Sequence, residues 1–319
     1  MGLASDDVLH PHKITEQVAF MERHPEIGWI YGYARCIDER GQRLPELGLV
    51  GTDITSTPDP VERLIQSNAI PGVSVMVRRK CMAQVQPHDE TLTYSDWEFW
   101  VRLAARHRAA FLPRTRVLFR VHGQNTSIGI KSETNLQHSL EVMLKLRQHN
   151  DGPLARPRTQ ALLDLQSSFY LYCMQEEVQA QQYLAAAFLS DPTLQTDAHY
   201  FVRWLKHCYR ILLMMPERLA DTGFAQWALM HLPANLDEEF MRGVAKRVAG
   251  LAFSPAAAKY HFAVAHWEVR RKLLHSLLHD PQVWRERELF AMHVESFVGS
   301  RFRRQLRRLL PQHHGATGR

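Results

Sequence analysis

The stretch Thr93-Tyr94-Ser95-Asp96-Trp97-Glu98-Phe99-Trp100 predicts the start of an amphipathic helix with a carboxylate in its first turn. Ser95 and Glu98 have capping-box spacing, so we expect the helix to begin at Asp96 and to end near His107. One helical face carries Trp97, Trp100, Val101 and Ala104. The helix dipole favours the ionised form of Asp96, which can then accept a hydrogen bond. Under the alternative interpretation, these polar residues only cap a core helix.

Length and composition indicate a globular protein with room for two domains. The chain has 319 residues, of which 45% are hydrophobic and 23% are charged. Its formal net charge is +6, and residues 301–308 contribute five arginines to it. The rest of the chain is therefore close to neutral, which argues against nucleic acid as a partner.

The cysteines and the apolar segments predict a cytoplasmic location. Four widely spaced cysteines form no Cys-x-x-Cys pair, so neither a zinc site nor a disulfide framework is indicated. The N-terminal residues lack the basic and apolar segments of a secretory signal. The longest apolar runs, such as 211–215, are too short to cross a bilayer.

The secondary-structure pattern changes near residue 130. Residues 1–130 mix helical and strand signals and predict an α/β domain, residues 131–311 predict an all-α domain, and residues 312–319 predict a disordered tail. The expected strands include 27–37, 73–77 and 109–121, of which the last is either one strand or two strands broken near Pro113. The expected first helix starts at Pro11 and has an inward face of Ile14, Val18 and Met21.

Two features of the helical part leave alternatives open. Residues 181–192 and 270–281 share an apolar pattern that ends in Asp-Pro, which indicates either a helical-repeat array or a chance similarity between amphipathic helices. Residues 301–310 form a basic amphipathic helix in this reading. Such a helix either caps the helical domain or contacts the inner face of the membrane as a peripheral anchor.

Two further polar segments can supply metal-binding chemistry. Asp6 and Asp7 follow a short apolar lead, and adjacent carboxylates there can bind Mg²⁺ or Mn²⁺ together with ligand phosphates. Residues 119–127 place Arg120 and His122 before a glycine-bearing polar loop that can face a diphosphate. The alternative is that the acidic pair belongs to a turn before a helix and that His122 is a structural residue.

In their order along the chain, these segments resemble the family 2 inverting glycosyltransferases of the GT-A fold. The matching stretches are residues 4–14 (ASDDVLHPHKI), 17–28 (QVAFMERHPEIG), 70–79 (IPGVSVMVRR), 94–104 (YSDWEFWVRLA) and 120–127 (RVHGQNTS). The resemblance covers residues 3 to about 130. It implies transfer of a sugar from a nucleotide sugar, such as a UDP- or GDP-sugar, to a hydroxyl of a glycan, lipid or protein acceptor.

The resemblance also implies roles for individual residues. Asp6 would ligate a Mg²⁺ or Mn²⁺ ion that bridges the nucleotide diphosphate, and Asp7 would orient that site. Asp96 would be the general base that takes the proton of the acceptor hydroxyl. His122 would approach the metal or the diphosphate from the closing loop, with Arg120 beside it.

The chain departs from the family pattern in three ways. Ala4 replaces the first aspartate of the metal motif, and Ser95 replaces an acidic residue. The nucleotide-binding half expected before Leu3 is missing, so we expect a partial GT-A domain, a fragment with little activity alone. The alternative is a non-catalytic helical-repeat interaction protein that carries a remnant transferase domain.

Overall fold

The structure is a computed structural model that describes residues 6–47, 49–85, 88–122, 132–149, 151–213 and 223–233, with 236, 239–241 and 244. The chain divides into two compact units, Met1–Pro192 and Thr193–Arg319. The first unit extends beyond the predicted boundary at residue 130, because it includes the first three helices that follow that boundary.

The first unit contains a five-stranded mixed sheet and seven α-helices among its described residues. The strands are β1 (Val8–Leu9), β2 (Trp29–Ile37), β3 (Leu49–Val50), β4 (Met76–Val77) and β5 (Ala109–Arg120). The helices are α1 (Lys13–Arg23), α2 (Pro60–Gln66), α3 (Arg79–Gln84), α4 (Ser95–Arg106), α5 (Ser132–Arg147), α6 (Pro157–Cys173) and α7 (Glu177–Ser190). An α/β region followed by helices is therefore present.

β5 lies between β1 and β2 in the sheet. It pairs in parallel with β2 and antiparallel with β1, while β3 and β4 pair antiparallel with β2. The parallel ladder is irregular where β2 passes from Gly32 to Ala34 and β5 from Leu112 to Val117. Pro113 has no amide hydrogen to donate there. At Gly32 a Cβ would lie 2.3 Å from the Leu112 carbonyl oxygen, so this close approach requires glycine.

The inward face of α1 differs from the prediction. Ile14 and Val18 are 49% and 40% exposed, whereas Lys13, Gln17 and Met21 are buried. Of the three residues predicted to face inward, only Met21 is buried. Polar contacts decide the orientation instead, since Lys13 Nζ donates to Gln17 Oε1 at 2.7 Å and Gln17 Nε2 donates to the Ser74 carbonyl at 2.9 Å.

The predicted strand 73–77 is largely a turn. Gly72–Ser74 forms one turn of 3-10 helix, and only Met76–Val77 pairs with β2. The alternation of apolar residues arises because Val73 and Val75 are both buried in a non-strand backbone. Ser74 fixes the turn, since its hydroxyl donates to the Pro71 carbonyl at 2.7 Å and accepts from the Gly32 amide at 3.2 Å.

The helices α2, α4, α5, α6 and α7 pack on one another within the first unit. α6 contacts α2, α5 and α7, and α4 contacts α2 and α5. α6 is buried on almost all sides, including the carboxylate of Asp164, which pairs with Arg147 and accepts from the Ser190 hydroxyl at 3.2 Å. Among the described helices, none combines the length and apolar character needed to cross a bilayer.

In the second unit, α8 (Ala198–Leu213) and α9 (Gly223–Met230) are the described helices. Aromatic side chains form their contact, with the rings of Trp204 and Phe224 at 5.6 Å. The second copy of the predicted repeat at 270–281, the basic helix at 301–310 and the tail at 312–319 lie outside the described residues.

The link between α6 and α7 contains a left-handed residue that is not glycine. Gln175 has φ +68°, and the Glu176 amide donates to the Leu171 carbonyl at 2.9 Å, as in a Schellman-type helix end. We predict that Gln175→Gly stabilises the protein by about 0.5–1 kcal/mol, because glycine removes the steric cost of positive φ but adds backbone entropy to the unfolded chain. Thermal and urea unfolding measure this change.

Gln179→Gly is the matched control, since Gln179 is exposed and lies within α7. The control should lose stability, because it gains the entropy cost without relieving any backbone strain. A Gln175→Gly variant that is less stable than the wild type would contradict the prediction.

Candidate functional site

Antiparallel pairing of β1 with β5 brings the predicted metal residues together. Val8 lies opposite Leu118 and Leu9 lies opposite Val117. Because the two strands run in opposite directions, the residues before β1 lie beside those at the end of β5. Residues more than 110 positions apart in the chain thus form one cluster.

This acidic cluster consists of Asp6, Asp7, Arg120 and His122. His122 Nε2 lies 2.7 Å from Asp6 Oδ2, and the Arg120 amide donates to Asp7 Oδ1 at 2.9 Å. The Arg120 guanidinium donates from Nε to the Asp6 carbonyl at 2.8 Å. It also donates from Nη1 to the carbonyls of Asp38 and Glu39 at 2.7 and 2.9 Å. Arg120 therefore joins β5 to the segment before β1 and to the turn after β2.

The two carboxylates of the acidic cluster have different electrostatic surroundings. The hydrogen bond to His122 lowers the pKa of Asp6, whose side chain is 31% exposed. Burial raises the pKa of Asp7, opposed by the hydrogen bond from the Arg120 amide. Asp6 is therefore the stronger candidate for an ionised ligand that solvent and a diphosphate can reach.

Asp6 and His122 are the described residues that could hold a divalent ion together, although they now form a direct hydrogen bond. Two ligands at about 2.1 Å from an ion and at right angles to each other lie roughly 3 Å apart. The pair at 2.7 Å would need to open by only a few tenths of an ångström. Among the described residues, no three side chains of His, Cys, Asp or Glu converge on one point. Mg²⁺ commonly binds to one or two protein carboxylates, with water and phosphate oxygens as its other ligands.

Asp96 lies in the first turn of α4, as predicted, but the predicted capping box is wrong. The helix begins at Ser95 without a side-chain cap, and Glu98 instead pairs with Arg102 at 2.6 Å. Glu98 is 1% exposed and also lies 3.5 Å from His149 Nε2. The Glu98 side chain therefore stabilises the contact between α4 and the residues after α5, and it does not cap the N-terminus of α4.

Hydrogen bonds from Trp97 and Asn68 hold the half-buried carboxylate of Asp96. Oδ1 accepts from the Trp97 amide at 2.6 Å, and Asn68 Nδ2 lies 3.3 Å from Oδ1 and 3.4 Å from Oδ2. Burial raises the pKa of Asp96, and these hydrogen bonds oppose that effect. The pKa of Asp96 is therefore raised overall, whereas the helix dipole alone would lower it. A raised pKa brings a carboxylate closer to the range in which it acts as a general base.

The turn Gly72–Ser74 contacts both parts of the candidate site. Val73 packs with Ala34 and Val117 and against Leu9 and Phe119, which belong to the strands that carry the acidic cluster. Next to it, a Cβ placed on Gly72 would lie 3.7 Å from Asp96 Oδ2. One short, hydrogen-bonded turn therefore lies against both the β1–β5 pair and the helix that carries Asp96.

Sequence reasoning missed Asn68. It lies just after α2, is exposed, and has no spacing relation to Asp96 that a pattern could reveal. Its position is fixed by neighbours, since Trp97 Nε1 donates to the Leu64 carbonyl at 2.6 Å and the Thr52 amide donates to the Ala69 carbonyl at 3.0 Å. Only the tertiary packing of α2 on α4 identifies it.

Comparison of the chain with known protein families and with curated protein sequences finds no match. A functional assignment therefore depends on the residue pattern and on the geometry of the two clusters.

The raised pKa of Asp96 makes a prediction about stability. A carboxyl group with a higher pKa in the folded state contributes most to stability below its unfolded pKa of about 3.9, and this contribution is lost as the pH rises through the folded pKa. We predict that Asp96→Asn is more stable than the wild type at pH 7 and that the difference shrinks toward pH 4. Thermal unfolding at both pH values tests this prediction.

Asp89→Asn is a control of opposite sign. Hydrogen bonds from Lys145 and Thr91 lower the pKa of Asp89, so its ionised form stabilises the fold above the unfolded pKa. Asp89→Asn should be destabilised at pH 7 and less so in acid. An Asp96→Asn variant that loses stability equally at both pH values would contradict the assignment.

Proposed function

We propose that the first unit carries the metal-binding and catalytic-base residues of an inverting, nucleotide-sugar-dependent glycosyltransferase. The observation that carries this proposal is the contact between Asp6 and His122, 116 positions apart in sequence, beside a turn that also borders Asp96. The family resemblance assigns chemistry to these same three residues. The proposed substrates are a UDP- or GDP-sugar and a hydroxyl group of a glycan, lipid or protein.

The proposed reaction is a single displacement at the anomeric carbon. Asp96 accepts the proton of the acceptor hydroxyl while the oxygen forms its bond to that carbon. The bond from the same carbon to the diphosphate breaks, and the nucleoside diphosphate leaves with the electron pair. Attack opposite the leaving group inverts the configuration of the anomeric carbon.

The acidic cluster is suited to hold the leaving group. Asp6 and His122 would hold a Mg²⁺ or Mn²⁺ ion, which supplies positive charge to the departing diphosphate. Asp7 accepts from the backbone of β5, and Arg120 ties the segment before β1 to the turn after β2. These contacts keep Asp6 and His122 in place without help from the ligand.

The two carboxylates have pKa shifts that match their proposed roles. Asp6 has a lowered pKa, which favours the charged form that a cation requires. Asp96 has a raised pKa, which increases its affinity for the proton that it must take from the acceptor. Opposite pKa shifts of this kind distinguish a carboxylate that binds a cation from a carboxylate that acts as a base.

The metal assignment predicts a loss of ion binding in specific variants. We expect Asp6→Asn and His122→Ala each to weaken binding of Mn²⁺ with pyrophosphate by about tenfold or more, since each removes a ligand or the group that holds it. Asp96→Asn should bind as the wild type does. Titration calorimetry and Mn²⁺ paramagnetic resonance measure these affinities.

Glu26→Gln provides a matched control for the metal assignment. Glu26 and His24 form another carboxylate–histidine pair, with 3.3 Å between His24 Nδ1 and Glu26 Oε1, which we do not assign to the ion. The control should leave binding unchanged. Equal binding by Asp6→Asn and the wild type would show that the ion does not use the acidic cluster.

The base assignment predicts a loss of transfer. We expect Asp96→Asn to lower the turnover number by about 10²–10⁴-fold, the usual contribution of a general base, without weakening Mn²⁺–pyrophosphate binding. The assay uses the full-length natural protein, with UDP- and GDP-sugars as donors and with Mn²⁺. Release of nucleoside diphosphate is the readout.

Glu90→Gln, at an exposed carboxylate in the turn before α4, controls for loss of charge near the helix. It should retain full transfer. Undiminished transfer by Asp96→Asn would remove Asp96 as the base, and a product with retained anomeric configuration would overturn the single-displacement mechanism.

A further inference from the structure

Within the proposed function, we infer that Asn68 positions Asp96, that Oδ2 of Asp96 takes the proton, and that the acceptor hydroxyl reaches it over Gly72. The inference rests on the proposed function and names the oxygen, the direction of approach and the positioning residue. The resemblance to the glycosyltransferases places residues 70–79 on the acceptor side, but it names neither Asn68 nor the oxygen of Asp96.

The two oxygens of Asp96 are not equivalent. Oδ1 accepts a short hydrogen bond from the Trp97 amide at 2.6 Å as well as the longer one from Asn68. Within the described part of the chain, no donor reaches Oδ2 at so short a distance: Asn68 Nδ2 lies at 3.4 Å, and the Trp100 side chain acts on the carboxylate more weakly. Each donor that an oxygen accepts stabilises its negative charge and lowers its affinity for a proton. Oδ2 is therefore the more basic oxygen.

Gly72 leaves space next to Oδ2. A Cβ at this position would lie 3.7 Å from Oδ2 and 3.9 Å from Trp100 Cζ2, at ordinary contact distance from both. With hydrogen in place of a side chain, the backbone turn approaches the carboxylate and leaves room for a hydroxyl between Asp96 and Trp100. The acceptor therefore has a direct approach to Oδ2 at this point.

The Trp100 indole lies beside the same carboxylate. Its side chain is 6% exposed, and Nε1 has no hydrogen-bond partner among the described residues. A buried indole N–H without an acceptor costs stability, so such donors normally have a partner. Trp100 still lowers the pKa of Asp96 weakly, so the Asp96 carboxylate is close to Nε1 but outside good hydrogen-bond geometry. An acceptor oxygen that enters beside Gly72 would give Nε1 a well-placed partner.

Asn68 can fix the carboxylate because its own backbone is fixed. Ser67 and Asn68 follow α2, where Leu64 and Ile65 are buried and the Arg63 guanidinium donates to the Ser67 hydroxyl at 2.7 Å. The Nδ2 group contacts both oxygens, so it limits rotation of the carboxylate. Asn68 is therefore a positioning residue that acts through Asp96.

Other titratable groups also face Asp96. His88 favours its charge, and its ring stacks on Phe99 with centroids at 4.2 Å. Tyr94 precedes the helix, and its hydroxyl donates to Asn135 Oδ1 at 2.5 Å. Substitutions at Asn68 leave both groups in place, so a change in the titration of Asp96 can be attributed to Asn68.

The test compares three variants by carboxyl ¹³C NMR titration and by the pH dependence of kcat/KM, with the Asp96 signal identified from Asp96→Asn. Asn68→Ala should raise the pKa of Asp96 by about 0.5–1 unit and move the acidic limb of the rate profile by the same amount. Asn68→Asp should raise it further, since two carboxylates then share the site. Thr93→Ala, at an exposed residue three positions before Asp96 whose hydroxyl contacts His138 and not the Asp96 carboxylate, should change neither quantity.

Gly72→Ala tests the direction of approach. The added methyl group fits the fold but fills the space beside Oδ2, so we expect kcat/KM for the acceptor to fall by about tenfold or more. Donor hydrolysis, in which water is the acceptor, should fall much less. Equal effects on transfer and hydrolysis would overturn the approach over Gly72.

The outcomes separate this inference from the proposed function. If Asp96→Asn abolishes transfer while Asn68→Ala changes neither the titration nor the rate profile, the function stands and the positioning role is wrong. If Asp96→Asn retains transfer, the base assignment itself fails. Unchanged Mn²⁺–pyrophosphate binding in all Asn68 and Gly72 variants shows that they remain folded at the acidic cluster.

Discussion

The hydrogen-bonded pairing of β5 with both of its neighbours is the constraint on which the rest of the first unit depends. Its parallel ladder with β2 spans Trp29–Ile37, and its antiparallel pairing with β1 fixes where the segment at Asp6 lies. A slip of one residue would turn His122 away from Asp6, because side chains alternate between the faces of a strand. The geometry of the acidic cluster is therefore set by the register of main-chain hydrogen bonds.

The position of Asp96, the proposed base, depends on a second constraint, the packing of α4. Trp97, Trp100 and Val101 bury one side of this helix, and the Trp97 indole donates to the end of α2. The Trp100 ring also stacks on Trp29 of β2, with centroids at 6.1 Å. The helix that presents Asp96 is thus anchored both to the sheet and to α2. Small polar groups around Asp96 then decide its charge and orientation.

The sequence allowed the elements to be predicted better than their faces and contacts. α4 and β5 lie within one or two residues of their predicted bounds, because their apolar pattern is strong. α1 presents Lys13 and Gln17 inward because a hydrogen bond to the turn at Ser74 determines its rotation. Asn68 could not be predicted, since its contact with Asp96 joins residues 28 positions apart through packing alone. The convergence of Asp6 and His122 was expected only from the family resemblance, and local patterns contain no information about it.

The hydrogen bonds by which Arg120 joins three chain segments affect how this region can evolve. Its guanidinium bonds to Asp6, Asp38 and Glu39 end on main-chain oxygens, which every amino acid possesses. Substitutions at those three positions can therefore alter the chemistry of the cluster while the joint between the segments is kept. A framework that tolerates such sequence drift lets the side chains at these positions diverge among descendants without loss of the local fold.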